Sequence, residues 1–163
     1  MPNWCENSLT VTGEIEEIRK FKEENTIIVD GKLTLSFNLM VTLPEEEKDN
    51  WYDWHCAHWG TKWDLNRFSR CKVKEVDNVL NFKFFTAWSP PEKWVIYVSP
   101  YYPDLSFELK YAEAGYDFSG RTVIQNGTKD EEEDGKYGDF YGEIYLNESD
   151  EEYEEPEEKN NES

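Results

Sequence analysis

Both histidines of the chain stand beside a cysteine, in Trp51-Tyr52-Asp53-Trp54-His55-Cys56-Ala57-His58-Trp59. Imidazole and thiolate are the common nitrogen and sulfur ligands of zinc. On a helix, however, His55 and His58 lie three apart and share a face while Cys56 points elsewhere. A structural zinc site draws four ligands in recognisable pairs, and no second pair sits nearby. Neither a metal nor any other cofactor is therefore expected. Nucleophilic catalysis by Cys5, Cys56 or Cys71 would need a base within reach and a third group to orient it. Nothing in the spacing singles out one thiol, and no catalytic residue is assigned. Asp130-Glu131-Glu132-Glu133-Asp134-Gly135 is dense in carboxylate but lacks the alternating ligands of a calcium loop.

The most pointed segment is His58-Trp59-Gly60-Thr61-Lys62-Trp63-Asp64. A binding reading joins His58, Thr61, Lys62, Trp63 and Asp64 to Trp4 and Trp88 in one surface. In that reading the Trp51–Asp64 insertion serves a small-molecule-binding protein or enzyme, with His55, His58, Lys62 and Asp64 lining a pocket. A structural reading makes the segment a tryptophan-anchored corner, with Lys62 and Asp64 paired across Gly60. The structural reading is favoured, because tryptophans at such density usually bury.

Phe82, Phe84, Phe85, Phe107 and Tyr111 raise an analogy with sheets that stack RNA bases, and Lys72, Lys74 and Lys83 form a local basic strip. Phosphate neutralisation normally supplies much of such affinity, and this chain is net negative. Direct nucleic-acid binding is not expected.

The elements that must position these residues follow from hydrophobic periodicity. Leu9 and Val11 alternate with polar neighbours in a strand ending at Gly13, and Ile15, Ile18 and Phe21 form one face of a short helix. Leu33, Leu35 and Phe37 predict a second strand. The aromatic segment predicts a short helix near Tyr52–Trp59. Cys71–Val76 and Val79–Thr86 predict a hairpin turning at Asp77-Asn78. Ser89-Pro90-Pro91-Glu92 carries the signature of a capping box, with proline at the first helical position. Leu105, Phe107, Leu109 and Tyr111 mark a further strand, Thr122–Ile124 an edge strand, and Tyr137–Leu146 a weak hairpin partner. With the insertion removed the order is β-α-β-β-α-β, which places two helices on one face of an antiparallel sheet. The expected class is α+β, ferredoxin-like.

Charge divides the chain. Of its net −19, residues 1–129 hold −5 and residues 130–163 hold −14. A domain over 1–129, an acidic extension over 130–146 and a disordered acidic tail over 147–163 are expected, since the tail's charges repel and it has little to bury. The acidic interaction surface comprises Asp130, Glu131, Glu132, Glu133 and Asp134, then Glu148, Asp150, Glu151, Glu152, Glu154 and Glu155. It suits a protein partner with a basic surface. No stretch is apolar enough for a membrane helix, and Met1–Glu6 lacks the basic and apolar regions of a secretion signal. Cytoplasmic residence without membrane contact is expected.

Four segments together resemble a known family: Pro2-Asn3-Trp4-Cys5 with Asn7, Leu9, Val11 and Gly13; His58 to Asp64; Phe85-Thr86-Ala87-Trp88-Ser89-Pro90-Pro91; and Pro103-Asp104-Leu105 through Tyr111 to Gly115. In that order they resemble the YubB-type ferredoxin-like family of phage, plasmid and bacterial proteins, over roughly residues 2–121. The resemblance implies the fold and a mobile-element origin, and no activity. The resulting expectation is a non-enzymatic protein-binding module of a mobile genetic element in a bacterial host. It would dock on a host or element-encoded protein and in a narrower form inhibit a nucleic-acid-binding defence protein by charge mimicry. The alternatives are the pocket-bearing insertion above, or an accessory protein whose tail only keeps it soluble.

Overall fold

A computed structural model describes residues 3–145. Its elements are β1 (Trp4–Thr12), α1 (Ile15–Asn25), β2 (Thr26–Val29), β3 (Lys32–Leu35), α2 (Trp51–His58), β4 (Lys72–Val76), β5 (Val79–Ala87), α3 (Glu92–Val98), β6 (Ser106–Glu113), β7 (Phe118–Gln125), β8 (Thr128–Gly135) and α4 (Tyr137–Tyr145). The main sheet is antiparallel with strand order β4-β5-β1-β6-β7-β8. Within it β1, α1, β4, β5, α3 and β6 make the split β-α-β-β-α-β arrangement, so the ferredoxin-like α+β expectation holds. Strands β7 and β8 extend the sheet past it.

One face of the sheet carries the core. Leu9 and Val11 of β1, Leu80, Phe82 and Phe84 of β5, and Phe107 and Leu109 of β6 are buried there. Helix α1 lays Ile18 and Phe21 on them, and α3 lays Trp94, Val95 and Val98. The opposite face holds the alternate residues, among them Glu6, Ser8 and Thr10. Helix α4 packs on this second face against β6, β7 and β1. The Tyr137 hydroxyl there donates to the Glu6 carboxylate at 3.2 Å, and Ile144 is buried.

Several expected elements are placed differently. The Leu33, Leu35, Phe37 alternation is not the second strand of the sheet. Only Lys32–Leu35 is extended, and it pairs with β2 in a separate two-stranded sheet. That hairpin turns at Asp30 and Gly31, both at positive φ, as a tight two-residue turn demands. Leu35 and Phe37 are buried all the same, because alternation reports burial and not the identity of a strand's partner. The second ferredoxin position belongs to β4, joined to β5 through Asp77-Asn78 as expected. No capping box forms at Ser89. Pro91 occupies the N-cap of α3 without a side-chain bond, and the Ser89 hydroxyl donates to the carbonyl of Gly60. Thr122–Ile124 belongs to an interior strand, β7, and the hairpin expected over Tyr137–Leu146 is helix α4 up to Tyr145. The boundary at 129 falls inside β8. The expected tail over 147–163, with Glu148, Asp150, Glu151, Glu152, Glu154 and Glu155, lies outside the described residues.

Candidate functional site

The four segments quoted for the resemblance meet at one end of the sheet. Gly60 turns the chain after α2 at φ +83°, where a Cβ would stand 3.0 Å from the Pro90 carbonyl oxygen. Beside it the Thr61 hydroxyl donates to the Ala87 carbonyl at 2.8 Å, and the Trp94 amide to the Trp59 carbonyl at 3.2 Å. Asn7 Nδ2 donates to Thr86 Oγ1 at 2.8 Å, and Thr86 in turn to the Ser89 carbonyl at 2.6 Å. The Trp88 amide donates to the Asn3 carbonyl at 2.8 Å. From the fourth segment, buried Glu113 accepts the amides of Gly115 and Tyr116 at 2.6 and 2.9 Å, and a Cβ on Gly115 would collide with the Asn3 side chain. These groups satisfy one another's hydrogen bonds in a buried corner.

Asp64 fastens the insertion from the other side. Its Oδ1 accepts the amides of Phe37 and Leu65 at 2.8 and 2.7 Å, and its Oδ2 the Ser36 hydroxyl and Asn38 amide at 2.8 and 3.1 Å. The expected pairing with Lys62 is absent. Lys62 lies over the rings of Trp63 and Tyr52, its Nζ 4.4 and 5.8 Å from their centroids.

The histidines of α2 are held by stacking and by the backbone. His55 stacks on Trp59 at 3.9 Å and meets the Lys62 carbonyl through Nδ1 at 2.7 Å. His58 stacks on Trp54 at 4.2 Å, faces Tyr97 at 5.6 Å, and meets the Trp54 carbonyl through Nδ1 at 2.9 Å. A carbonyl can only accept, so each ring carries a proton on Nδ1. Burial holds the His55 pKa below the usual imidazole range. The two histidines share Trp54 as a ring neighbour and His55 meets the Lys62 backbone, while the Lys62 ammonium lies over Trp63 and Tyr52 and the Asp64 carboxylate is taken up by Ser36 and three backbone amides. Trp4 pairs with Ala87 across the sheet, which places it with Thr61 and Trp88. Trp88 sits at φ +74°, a conformation rare for a bulky side chain, and its ring is partly exposed.

Burial raises the Cys5 thiol far above its ordinary pKa and pushes Cys71 up to about 11. From an ordinary 9.0, the Cys71 shift lowers the thiolate fraction about a hundredfold. In the folded chain at mildly alkaline pH, iodoacetamide is therefore expected to modify Cys56 first, with Cys71 slow and Cys5 protected. Peptide mass spectrometry over time reads this order. Rapid labelling of Cys5 would contradict the buried, unreactive role that these positions imply.

The acidic run Asp130–Asp134 lies on β8, the outermost strand. All five carboxylates are exposed; Glu131 to Asp134 alternate between the two faces, and Asp130 is the extra residue of a bulge between Lys129 and Glu131. Glu131 pairs with Arg121, which also holds Glu108, each at 2.8 Å. Glu132 pairs with Lys129, which also meets Glu92 of α3. Among the described residues Asp130, Glu133 and Asp134 form no ion pair, and no strand lies along the outer side of β8. Sequence reasoning found these acids but not the strand that carries them. The turn Asn126-Gly127, both at positive φ, is the signal that would have revealed it.

Among the described residues no helix is long and apolar enough to cross a membrane, and no group of three or more candidate ligands could hold a metal ion. No curated protein matches the chain. A solved structure that it resembles is the crystal structure of a protein api92 from Yersinia pseudotuberculosis, at TM-score 0.59 and 10% identity, covering 85% of this chain and 99% of that one. At that identity the likeness concerns the fold. The sequence profile described as "Ferredoxin-like domain in Api92-like protein" matches residues 58–161. The match starts at the end of α2 and runs through β8 and α4 into the acidic terminus. With most of its length inside that match, the chain belongs to the family of ferredoxin-like domains found in Api92-like proteins.

Proposed function

We propose that the chain is a non-enzymatic protein-binding module that takes a basic partner along β8. The observation carrying this reading is an outermost strand with five consecutive exposed carboxylates, three of them without a cation partner among the described residues. An outer strand offers backbone donors and acceptors in a row, and peptide segments dock on such edges by strand addition. Acidic side chains discourage indiscriminate pairing there and select for lysine- and arginine-rich segments. The residues first considered for chemistry support the same reading from the opposite side. Asp64, Thr61, His55 and His58 are engaged in holding the insertion to the sheet.

The narrower form rests on the YubB-type resemblance and on charge. It is a mobile-element protein in the bacterial cytoplasm that occupies the phosphate-binding surface of a host nucleic-acid-binding defence protein. Such a surface is basic and accustomed to closely spaced anions.

The test passes bacterial lysate over the immobilised full chain and over its Asp130→Asn, Glu133→Gln, Asp134→Asn variant, at low and high salt. Each lost contact is worth about 0.5 kcal/mol, so the triple variant should bind its basic partner about tenfold more weakly. Wild-type retention should fall at high salt. Equal retention by both chains, or retention indifferent to salt, would remove the reading and leave the acidic residues a solubilising role.

A further inference from the structure

A buried hydroxyl without a partner lies beside the carboxylates of the outermost strand. Tyr111 of β6 is 9% exposed, yet its hydroxyl forms no hydrogen bond among the described residues. A phenol buried this far ordinarily finds one. Strand register shows where the ring goes. Tyr111 stands opposite Gly120 of β7, and Gly120 opposite Asp134 of β8. A Cβ on Gly120 would collide with the Tyr111 hydroxyl, so the glycine is what lets the ring lie across β7 toward β8.

The same face of β8 carries two more charged groups. Glu132 stands opposite Thr122, and Thr122 opposite Leu109, which is two residues before Tyr111. The bulge at Asp130 brings Lys129 onto this face beside Glu132. Helix α3 covers the row from above, where Glu92 accepts the Thr122 hydroxyl at 3.4 Å and pairs with Lys129. Lys129 also meets Glu132 at 3.3 Å. Burial first, and then the Glu92, Glu132 and Asp134 charges among others, push the Tyr111 pKa up to about 12, so the group stays a neutral phenol. Lys129 thus answers Glu92 and Glu132, while Asp134 has no cation partner among the described residues.

Two groups are left unmet in this corner, a carboxylate without a cation and a phenol oxygen without a donor. A metal ion needs ligands that converge on one point, and among the described residues no three candidate ligands do so. An ammonium is a compact point charge with its donors on a single atom. A guanidinium is planar and spreads five N–H donors in a rigid fork, which reaches separated acceptors at once.

We propose that this corner is an arginine subsite, in which the basic segment that adds to β8 places one guanidinium between the Asp134 carboxylate and the Tyr111 hydroxyl. The subsite presupposes the β8 docking proposed above. It narrows the partner from a basic segment to one with arginine at a fixed place in the strand. An added strand lies about 4.8 Å outside β8, and Gly120, beneath the hydroxyl, is about 10 Å further in from that strand than its own axis. An extended arginine leaning across β8, with one hydrogen bond at its tip, covers that span. The phenol oxygen accepts a guanidinium N–H while its own proton turns to a carboxylate, so each unmet group gains a partner.

The test uses the intact chain and two fluorescein-labelled peptides matched to the 8 residues of β8. One alternates arginine with threonine and the other lysine with threonine, and fluorescence anisotropy at low salt reads their affinities. The arginine peptide should bind about tenfold more tightly than the lysine peptide. Tyr111→Phe keeps the ring and removes only the hydroxyl. It should weaken the arginine peptide about fivefold and leave the lysine peptide within about twofold, so the preference shrinks to about twofold. Asp134→Asn, on the exposed strand and away from the core, should shrink the preference likewise. The double variant Asp130→Asn, Glu133→Gln lies outside the corner and should weaken both peptides alike.

Equal affinity for the two peptides in the wild-type chain would overturn the subsite. So would an arginine preference that survives both Tyr111→Phe and Asp134→Asn. If both peptides bind equally and both weaken in the double variant, the β8 docking stands and the subsite falls. If neither peptide binds, both fall.

Discussion

Replacing Asp64 with alanine is expected to lower the melting temperature by roughly 6–12 °C, the largest effect of any single polar substitution in the domain. The carboxylate accepts four hydrogen bonds, three from the backbone amides of Phe37, Asn38 and Leu65 and one from the Ser36 hydroxyl. Charge-assisted bonds contribute more than neutral ones, and donors left without an acceptor bear the full desolvation penalty where water cannot reach them. Ser36 and Phe37 are buried, so part of the loss has no solvent to soften it. An expected cost of about 3 kcal/mol follows, and about 2–4 °C per kcal/mol applies to a chain of this size. Asp64→Asn separates the contributions. Its carbonyl oxygen still receives Phe37 and Leu65, while its NH2 meets the Asn38 amide donor to donor. It should lose about 1 kcal/mol and fall between alanine and wild type. Thermal unfolding by circular dichroism measures the series. An alanine variant as stable as wild type would show that Asp64 is not the fastener of the insertion, and would return it to the candidates for ligand contact.

The same geometry explains how much of the site could be read in advance. The run from His58 to Asp64 looked chemical because it gathers a histidine, a lysine and an aspartate in seven residues. Its residues face different directions: Thr61 toward Ala87, Asp64 toward the segment after β3, Lys62 over two aromatic rings. Spacing along a turn does not reveal such divergence, because a glycine at positive φ redirects everything after it. The core strands and α1 were legible because Leu9, Val11, Ile18, Phe21, Phe107 and Leu109 are buried on one side with polar neighbours between them. Strand β8 was not legible for the opposite reason. All eight of its residues lie outside the core, so hydrophobic periodicity has nothing to report. Its sign was the Asn126-Gly127 turn, just as Asp30-Gly31 marked the β2–β3 hairpin.

The second large effect belongs to Phe21, whose truncation to alanine is expected to cost about 4 kcal/mol, a fall of roughly 8–16 °C in melting temperature. Phe21 is fully buried and stands where α1, α3 and the two strands flanking β1 converge. Its ring centroid lies 5.1 Å from Tyr102, 5.3 Å from Phe107, 6.2 Å from Phe82 and 6.3 Å from Trp94. The contacts to Tyr102, Phe107 and Phe82 are edge-on, the geometry in which the positive ring edge meets a neighbour's negative face. Removing the ring opens a cavity whose walls are themselves large, stiff rings, which cannot collapse into it as aliphatic chains would. Phe21→Leu keeps most of the volume and loses the edge-on contacts, so it should cost less than half as much. The consequence reaches the surfaces proposed for binding. Tyr102 also accepts a hydrogen bond from Asn25 at 2.9 Å, which ties the end of α1 to the turn leading into β6, and β6 in turn pairs with β7, the strand that carries β8. If the alanine variant instead unfolds at the wild-type temperature, the load-carrying contacts lie elsewhere, and the sheet's acidic edge is held by β7 and the Arg121 ion pairs without help from the aromatic core.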